Sequence, residues 1–287
     1  MIHSIKSYAK INIALNVVKK NDDGYHDLDS VILPIELHDT IIYQILKNEQ
    51  DTFVTIDDYS QGVIDYNIAS IMIKKIQEEY DIDTKFRIFI HKVIPMQAGL
   101  GGGSSNAATI MKMINKVCKL NIPKEKMIKL AKEVGADVPF FVDCAPARAR
   151  GIGDILTPVN VKNDYYVLLV KPEKGLSTKD IFDKSDGMKL CVSNIEDVIK
   201  ALEEGDEELL ANSIANSLED PAVSLLPEIK VIKDKLLSKG LKIVGMTGSG
   251  SSVFALSSDR KLLKKIETEL ENKYTVILSK TLKNGGN

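Results

Sequence analysis

The decapeptide Gly99-Leu-Gly-Gly-Gly-Ser-Ser-Asn-Ala-Ala carries four glycines in five positions, directly ahead of a helical pattern. Glycine lets a backbone approach a ligand closely and adopt positive φ, and the first turn of the helix beyond offers unpaired N–H groups at the positive end of its dipole. Phosphates bind such places. Ser104 and Ser105 are expected to cap the helix and to offer hydroxyls to a phosphate or to its magnesium ion, with Ser105 the candidate metal ligand. The stretch is not a P-loop, because GxxxxGK[ST] occurs nowhere in the chain. Nor is it the dinucleotide fingerprint, because Ser104 stands where GxGxxG needs its third glycine. The bland alternative is a flexible surface loop, but four glycines cost order that a packed strand-to-helix junction normally avoids.

Lys10, on the otherwise apolar stretch Tyr8-Ala-Lys-Ile-Asn-Ile-Ala-Leu, would alone read as a solvated edge residue, and Asp137, in Gly-Ala-Asp-Val-Pro, as a turn aspartate after a helix. Meeting beside a phosphate cradle, the two would do chemistry. The lysine would hold the carboxylate ionised and in place and neutralise charge on a transferred group; the aspartate would accept or orient the proton of an attacking hydroxyl. Thr247-Gly-Ser-Gly-Ser-Ser is a second glycine turn, whose Gly248 and Ser249 are able to close over an anion, or simply to join two strands. Tyr25-His26 follows Asp22-Asp-Gly and reads either as an exposed turn or as an aromatic face and imidazole suited to a flat base.

The elements that must position these groups are legible in the periodicity. Ala9, Ile11, Ile13, Leu15 and Val17 alternate with Lys10, Asn12, Ala14 and Asn16, which predicts a half-buried strand with Lys10 and Asn12 about 7 Å apart on one face. A turn at 21–26 and a returning strand at 28–37 follow. Phe86, Ile88 and Ile90 mark a strand running straight into the glycine-rich loop. Ala107, Met111, Ile114 and Cys118 mark the core stripe of a helix that starts at Ser104. A second helix carries Met127, Leu130, Ala131 and Val134 and stops at Gly135, immediately before Asp137. Beyond a strand at 165–170 the chain becomes mostly helical, then closes with a strand, glycine turn and strand over 242–256, a helix from about 259 and a last strand near 274. A domain boundary is placed near residue 160.

The 287 residues carry 38 Lys plus Arg against 40 Asp plus Glu, a net charge of -2, so a polyanionic ligand must be held by local groups and not by the field of the whole chain. Nucleic acid is not an expected partner. Cys118, Cys144 and Cys191 lie far apart with no CxxC and no His cluster, which argues against a zinc site or a disulfide framework. The polar opening stretch and the lack of long apolar runs give the expectation of a cytoplasmic protein with no membrane partner.

Several motifs, in order, resemble the GHMP kinase family. Ser7-Tyr-Ala-Lys-Ile-Asn-Ile-Ala-Leu is similar to its first motif, Ile94-Pro-Met-Gln-Ala-Gly-Leu-Gly-Gly-Gly-Ser-Ser-Asn-Ala-Ala to its second, and Met246-Thr-Gly-Ser-Gly-Ser-Ser-Val-Phe to its third. Within the family, Asp23-Gly-Tyr-His-Asp-Leu, Gly135-Ala-Asp-Val-Pro-Phe-Phe and Gly151-Ile-Gly-Asp-Ile-Leu resemble the branch that phosphorylates a diphosphocytidyl methylerythritol. The resemblance implies an α+β fold of two domains, 1–160 and 161–287, with a cleft between them. It implies transfer of the γ-phosphoryl group of ATP, with Mg2+, to the 2-hydroxyl of a small-molecule acceptor in the non-mevalonate route to isoprenoids, by a monomer or homodimer.

Carried over by residue, the resemblance makes Lys10 and Asp137 catalytic. Pro95, Met96, Gln97, Ala98, Gly99, Leu100, Gly101, Gly102, Gly103, Ser104 and Ser105 become the ATP loop, with Asn67, Lys92 and Thr178 on the adenosine side. Asn12, Tyr25, His26, Gly248 and Ser249 fall to the acceptor, Tyr25 and His26 at its cytidine. The chain departs from the family pattern at Cys144-Ala145, where small residues are usual, at Asp154, where Glu is usual, and at Arg148 and Arg150, in a run that is commonly less basic. Two other readings stay open: a GHMP kinase of homoserine or mevalonate type, and a non-catalytic nucleotide-binding paralogue.

Overall fold

The alternation read over residues 8–17 extends in both directions. β1 runs Ile2–Lys20 and pairs antiparallel along almost its whole length with β2, His26–Leu46, through the tight turn at 21–25. The computed structural model describes residues 1–46, 52–58, 62–63 and 67–283. In chain order there follow β3 (Phe53–Asp58), β4 (Gly62–Val63), α1 (Ile68–Glu79), β5 (Lys85–His91), α2 (Gly102–Val117), α3 (Lys124–Val134), α4 (Phe140–Asp143), β6 (Ala147–Gly151) and β7 (Ile155–Pro158). Next come β8 (Tyr166–Lys171), α5 (Thr178–Ser185), α6 (Ile195–Glu204), α7 (Glu207–Ser213), α8 (Glu219–Leu225), α9 (Glu228–Ser238), β9 (Ile243–Met246), β10 (Val253–Ser257), α10 (Arg260–Leu270) and β11 (Thr275–Lys280). The class is α+β, as expected.

β2 organises the first sheet. β1 occupies one edge of it, while on the other β6 takes Leu28–Ile32 and β5 takes Thr40–Leu46. α1, α2, α3 and α4 pack on this sheet around Phe86, Met111, Phe140 and Phe141, burying the stripe that Ala107, Met111 and Ile114 define. The second sheet has the order β11-β8-β10-β9 and carries α8, α9 and α10 on one face. Strands up to Pro158 belong to the first sheet and strands from Tyr166 to the second. The core does not divide there. Ala9, Ile11 and Ile13 of β1 and Leu33 and Ile35 of β2 share one buried cluster with Val167, Leu169 and Phe254, and the C-terminal chain bridges back to β2 through Ile35 and Thr281. Two sheets welded by a common core make a stiff frame for whatever lies between them.

One expectation is corrected here. β1 is buried on both faces from Ala9 to Leu15, not half-buried. Its apolar side packs against the second sheet, and its Lys10–Asn12 side lies beneath the two glycine loops, which bond to it directly: Lys10 N–H donates to the Leu100 carbonyl at 3.1 Å and Asn12 N–H to the Thr247 hydroxyl at 2.9 Å.

Candidate active site

The glycine loop is pinned at both ends. At its start Asp39 of β2, fully buried, accepts the N–H groups of Val93 and Ile94, each at 2.8 Å, the amide of Asn106 at 3.0 Å, and an ion pair from Lys92. Every lone pair of that carboxylate is used, which is what a buried charge requires. At its end Gly101 has φ of +68°, and a Cβ there would lie 2.8 Å from the Phe141 ring and 3.2 Å from Lys10 Cε. Glycine is needed for both reasons: the left-handed conformation and the close approach.

α2 begins at Gly102 with Gly101 as its N-cap and no side-chain cap. The expected capping by Ser104 does not occur, because Ser104 already lies in the first turn. The consequence favours an anion, since the leading N–H groups are not taken by a cap. Ser105 is a second correction. Its hydroxyl is buried and hydrogen-bonds that of Ser7 at 2.7 Å, and it does not line the cleft where the expectation put it. One residue along a helix turns a side chain by about 100°, and that rotation sends Ser104 toward the cleft and Ser105 into the core.

Lys10 and Asp137, 127 positions apart in sequence, face each other with Nζ 3.8 Å from Oδ2. The lysine side chain is 4% exposed and also donates to Asn12 Oδ1 at 2.5 Å; the aspartate is 47% exposed. With one partner half in water the pair contributes about 1 kcal/mol or less to stability, so its value is positional. Asn12 is in turn held by Ser30, whose hydroxyl accepts from its amide at 2.8 Å.

The second glycine turn meets the first. Thr247 donates to the Gly99 carbonyl at 3.2 Å, Ser251 N–H to the Gln97 carbonyl at 3.3 Å, and Thr178 at the head of α5 hydrogen-bonds Ser249 at 3.0 Å. Between them opens a cleft of about 850 Å³, toward the upper end of the range for ligand pockets. It brings together Lys10, Asn12, Tyr25, His26, Asn67, Lys92, Pro95 through Ser104, Asp137, Thr178, Gly248 and Ser249; of the residues expected at the site, Ser105 alone stays outside. Asn67 caps α1, its oxygen accepting from Ala69 and Ser70 N–H, and its buried amide nitrogen has no partner among the described residues. Lys92 lines the cleft with two of its three donors engaged, one on Asp39 and one on Asn106.

At the far end Tyr25 is exposed while His26 is buried, its ring stacked on Phe182 of α5 at 4.9 Å and its Nε2 2.8 Å from Asp186. Lys20 beside Asp186, then His26, hold that carboxyl below its usual range.

Residues 67–144 match the model of the GHMP kinases N terminal domain and 198–276 that of the GHMP kinases C terminal, together more than half of the chain. This chain belongs to the GHMP kinase family. It is 34% identical over 285 residues to the 4-diphosphocytidyl-2-C-methyl-D-erythritol kinase of Thermoanaerobacter pseudethanolicus, covering 98% of this chain and 96% of that one. It is 32% identical over 280 residues to the enzyme of the same name from Clostridium tetani, covering 97% and 99%. A crystal structure of 4-(cytidine 5'-diphospho)-2C-methyl-D-erythritol kinase superposes with a TM-score of 0.81 at 27% identity, covering 99% of this chain and all of that one.

Within this GHMP kinase three of the departures from the family pattern, Arg148, Asp154 and Cys144, have structural roles. Arg148 grips both carboxylate oxygens of Asp29 at 2.8 Å and also Glu196 of α6, tying the first sheet to the second half of the chain. Asp154 accepts from Ile152 N–H and pairs with Lys132, stabilising the Gly151–Asp154 turn. Cys144 is buried in the left-handed conformation that closes α4, and burial pushes its thiol up to about 11. Sequence reasoning missed Phe182 and Asp186. Both sit on a short amphipathic helix whose pattern says only that one face is buried; nothing local says that the face meets His26, 156 residues before Phe182 in one chain.

Proposed function

We propose that this chain transfers the γ-phosphoryl group of ATP to the 2-hydroxyl of 4-diphosphocytidyl-2-C-methyl-D-erythritol, giving the 2-phosphate and ADP. The observation that carries the reading is the Lys10–Asp137 pair, 3.8 Å apart beside an uncapped helix N-terminus reached through a glycine loop. Asp137 accepts the hydroxyl proton as the oxygen attacks the γ-phosphorus and the bond to the β-phosphate oxygen breaks. Lys10 keeps that carboxylate in place and offsets charge on the transferred group. The first-turn N–H groups of α2 grip the phosphates, and Asn67, in the cleft lining at the head of α1, lies on the adenosine side.

Magnesium, when bound, would be held chiefly by the substrate phosphates and water and would neutralise charge on the phosphoryl group; the Ser104 hydroxyl, at the cleft, is the side chain placed to join that donor set. Tyr25, His26 and Phe182 supply flat faces and polar atoms for the cytosine. In this reading residues 1–160 supply the loop, the Lys–Asp pair and Tyr25-His26, and residues 161–287 close the cleft with the 247–252 turn and α5. Among the described residues no helix is long and apolar enough to cross a membrane, and the expectation of a cytoplasmic enzyme is kept.

Purified protein with Mg2+ and γ-labelled ATP is given the cytidyl substrate, homoserine or mevalonate. Transfer to the cytidyl substrate is the expected result; transfer only to one of the others, or ATP binding with no transfer, overturns the assignment.

A further inference from the structure

His26 is held from two directions by one turn of one helix. Phe182 lies under the ring with centroids 4.9 Å apart and planes inclined by 28°, and Asp186, the C-cap of α5, meets Nε2 at 2.8 Å. The cap's own N–H donates to the Phe182 carbonyl at 3.2 Å, so platform and carboxylate are parts of one rigid turn. Lys20, at the end of β1, pairs with the other oxygen of Asp186 and fixes its orientation. The β1–β2 hairpin and α5, 160 residues apart between His26 and Asp186, thus converge on one imidazole. Ring position follows from the stacking, but ring rotation and proton placement follow from the carboxylate.

An ionised carboxylate only accepts. Nε2 must therefore carry the proton in the neutral ring, and Nδ1 is left as a lone-pair acceptor. We infer that Asp186 is a positioning residue that fixes His26 as the Nε2–H tautomer and so makes the pocket select a base bearing an exocyclic amino group over one bearing a carbonyl there. The inference rests on the reading of this end of the cleft as the cytidine pocket. An amino group donates to Nδ1, whereas a carbonyl would set two lone pairs against each other, and a site built around one hydrogen bond rejects the analogue that leaves it unmade. Cytosine and uracil differ at that group. The opposite tautomer would favour the carbonyl.

The tautomer is measured on the resting protein without ATP or acceptor. The full chain labelled with 15N at histidine has four such residues, and His26→Ala identifies the signal of interest. Long-range proton–nitrogen spectra above the imidazole titration range are expected to show His26 protonated at Nε2, and Asp186→Asn to mix or invert the pattern. Calorimetry with CMP and UMP is expected to show CMP bound roughly tenfold or more tighter by the intact protein. That ratio should fall at least about fivefold in Asp186→Asn and recover in part in Asp186→Glu, which restores an acceptor. An Nδ1–H tautomer in the intact protein, or a CMP-to-UMP ratio unchanged by Asp186→Asn, overturns the inference whatever the kinase assay gives. Absence of CMP binding removes the cytidine pocket itself, and absence of phosphoryl transfer with the tautomer and ratio as expected overturns the proposed function alone.

Discussion

The hydroxyl of Thr247 donates to the carbonyl of Gly99 at 3.2 Å across 148 residues of sequence. The two glycine turns therefore form a single surface, with Gly99 at φ of +71° pressed so closely on Thr247 that a Cβ would overlap the threonine's backbone carbonyl, and with Gly248 at φ of +57° facing back. Each loop braces the other at this contact.

Gly99→Ala tests that dependence. Left-handed strain and a backbone clash cost about 2 kcal/mol or more, which lowers the melting temperature by roughly 4–8 °C and raises the KM for ATP more than that for the acceptor. Thermal denaturation and steady-state kinetics on one preparation check it. An alanine variant with unchanged stability would mean the loops are not in contact.

Asp137→Asn keeps the shape and removes the proton acceptor. A positioned base contributes 10²–10⁴-fold, so kcat falls by about 10³, while the Kd for ATP shifts by less than about threefold because the lost interaction is with the attacking hydroxyl. Rapid-quench turnover and nucleotide titration separate the two. An equal loss in ATP affinity would assign Asp137 to nucleotide binding.

Ser105→Ala and Ser104→Ala separate the buried hydroxyl from the one at the cleft. Ser105 loses a hydrogen bond to Ser7, about 1 kcal/mol, with the magnesium dependence of turnover unchanged; Ser104→Ala raises the magnesium or ATP concentration needed for half-maximal rate. If Ser105→Ala altered the magnesium requirement instead, the burial assigned to its side chain would be wrong.

His26→Ala removes the imidazole between Phe182 and Asp186. The KM for the cytidyl substrate is expected to rise roughly 10–100-fold, with the KM for ATP within about twofold. A change confined to ATP would place the base pocket elsewhere.

Cys144 gives a pH signature. Burial raises its thiol to about 11, so the folded state holds the proton more tightly than the unfolded one. The associated stability is complete below the ordinary thiol value and is lost as pH rises toward the folded value. Between about pH 8.5 and about pH 10.5 the intact protein should lose about 2 kcal/mol more than Cys144→Ala. Denaturant midpoints of the two proteins at both pH values give the difference; identical slopes would place the thiol in water.

Much of this protein is written locally. Four glycines before a 3.6-period stripe specify a phosphate-competent helix start, alternation specifies β1 with Lys10 and Asn12 on one side, and Gly135 ahead of Asp137 specifies a turn, because each depends on neighbours a few residues away. What tertiary structure alone decided is which of these groups meet and which face outward. The rotation of α2 took Ser105 into the core, the weld of two sheets through one core buried both faces of β1, and the docking of α5 set Phe182 and Asp186 on His26. Such outcomes follow from packing between segments 98 or more residues apart, and periodicity within a segment carries no information about the partner that will cover it.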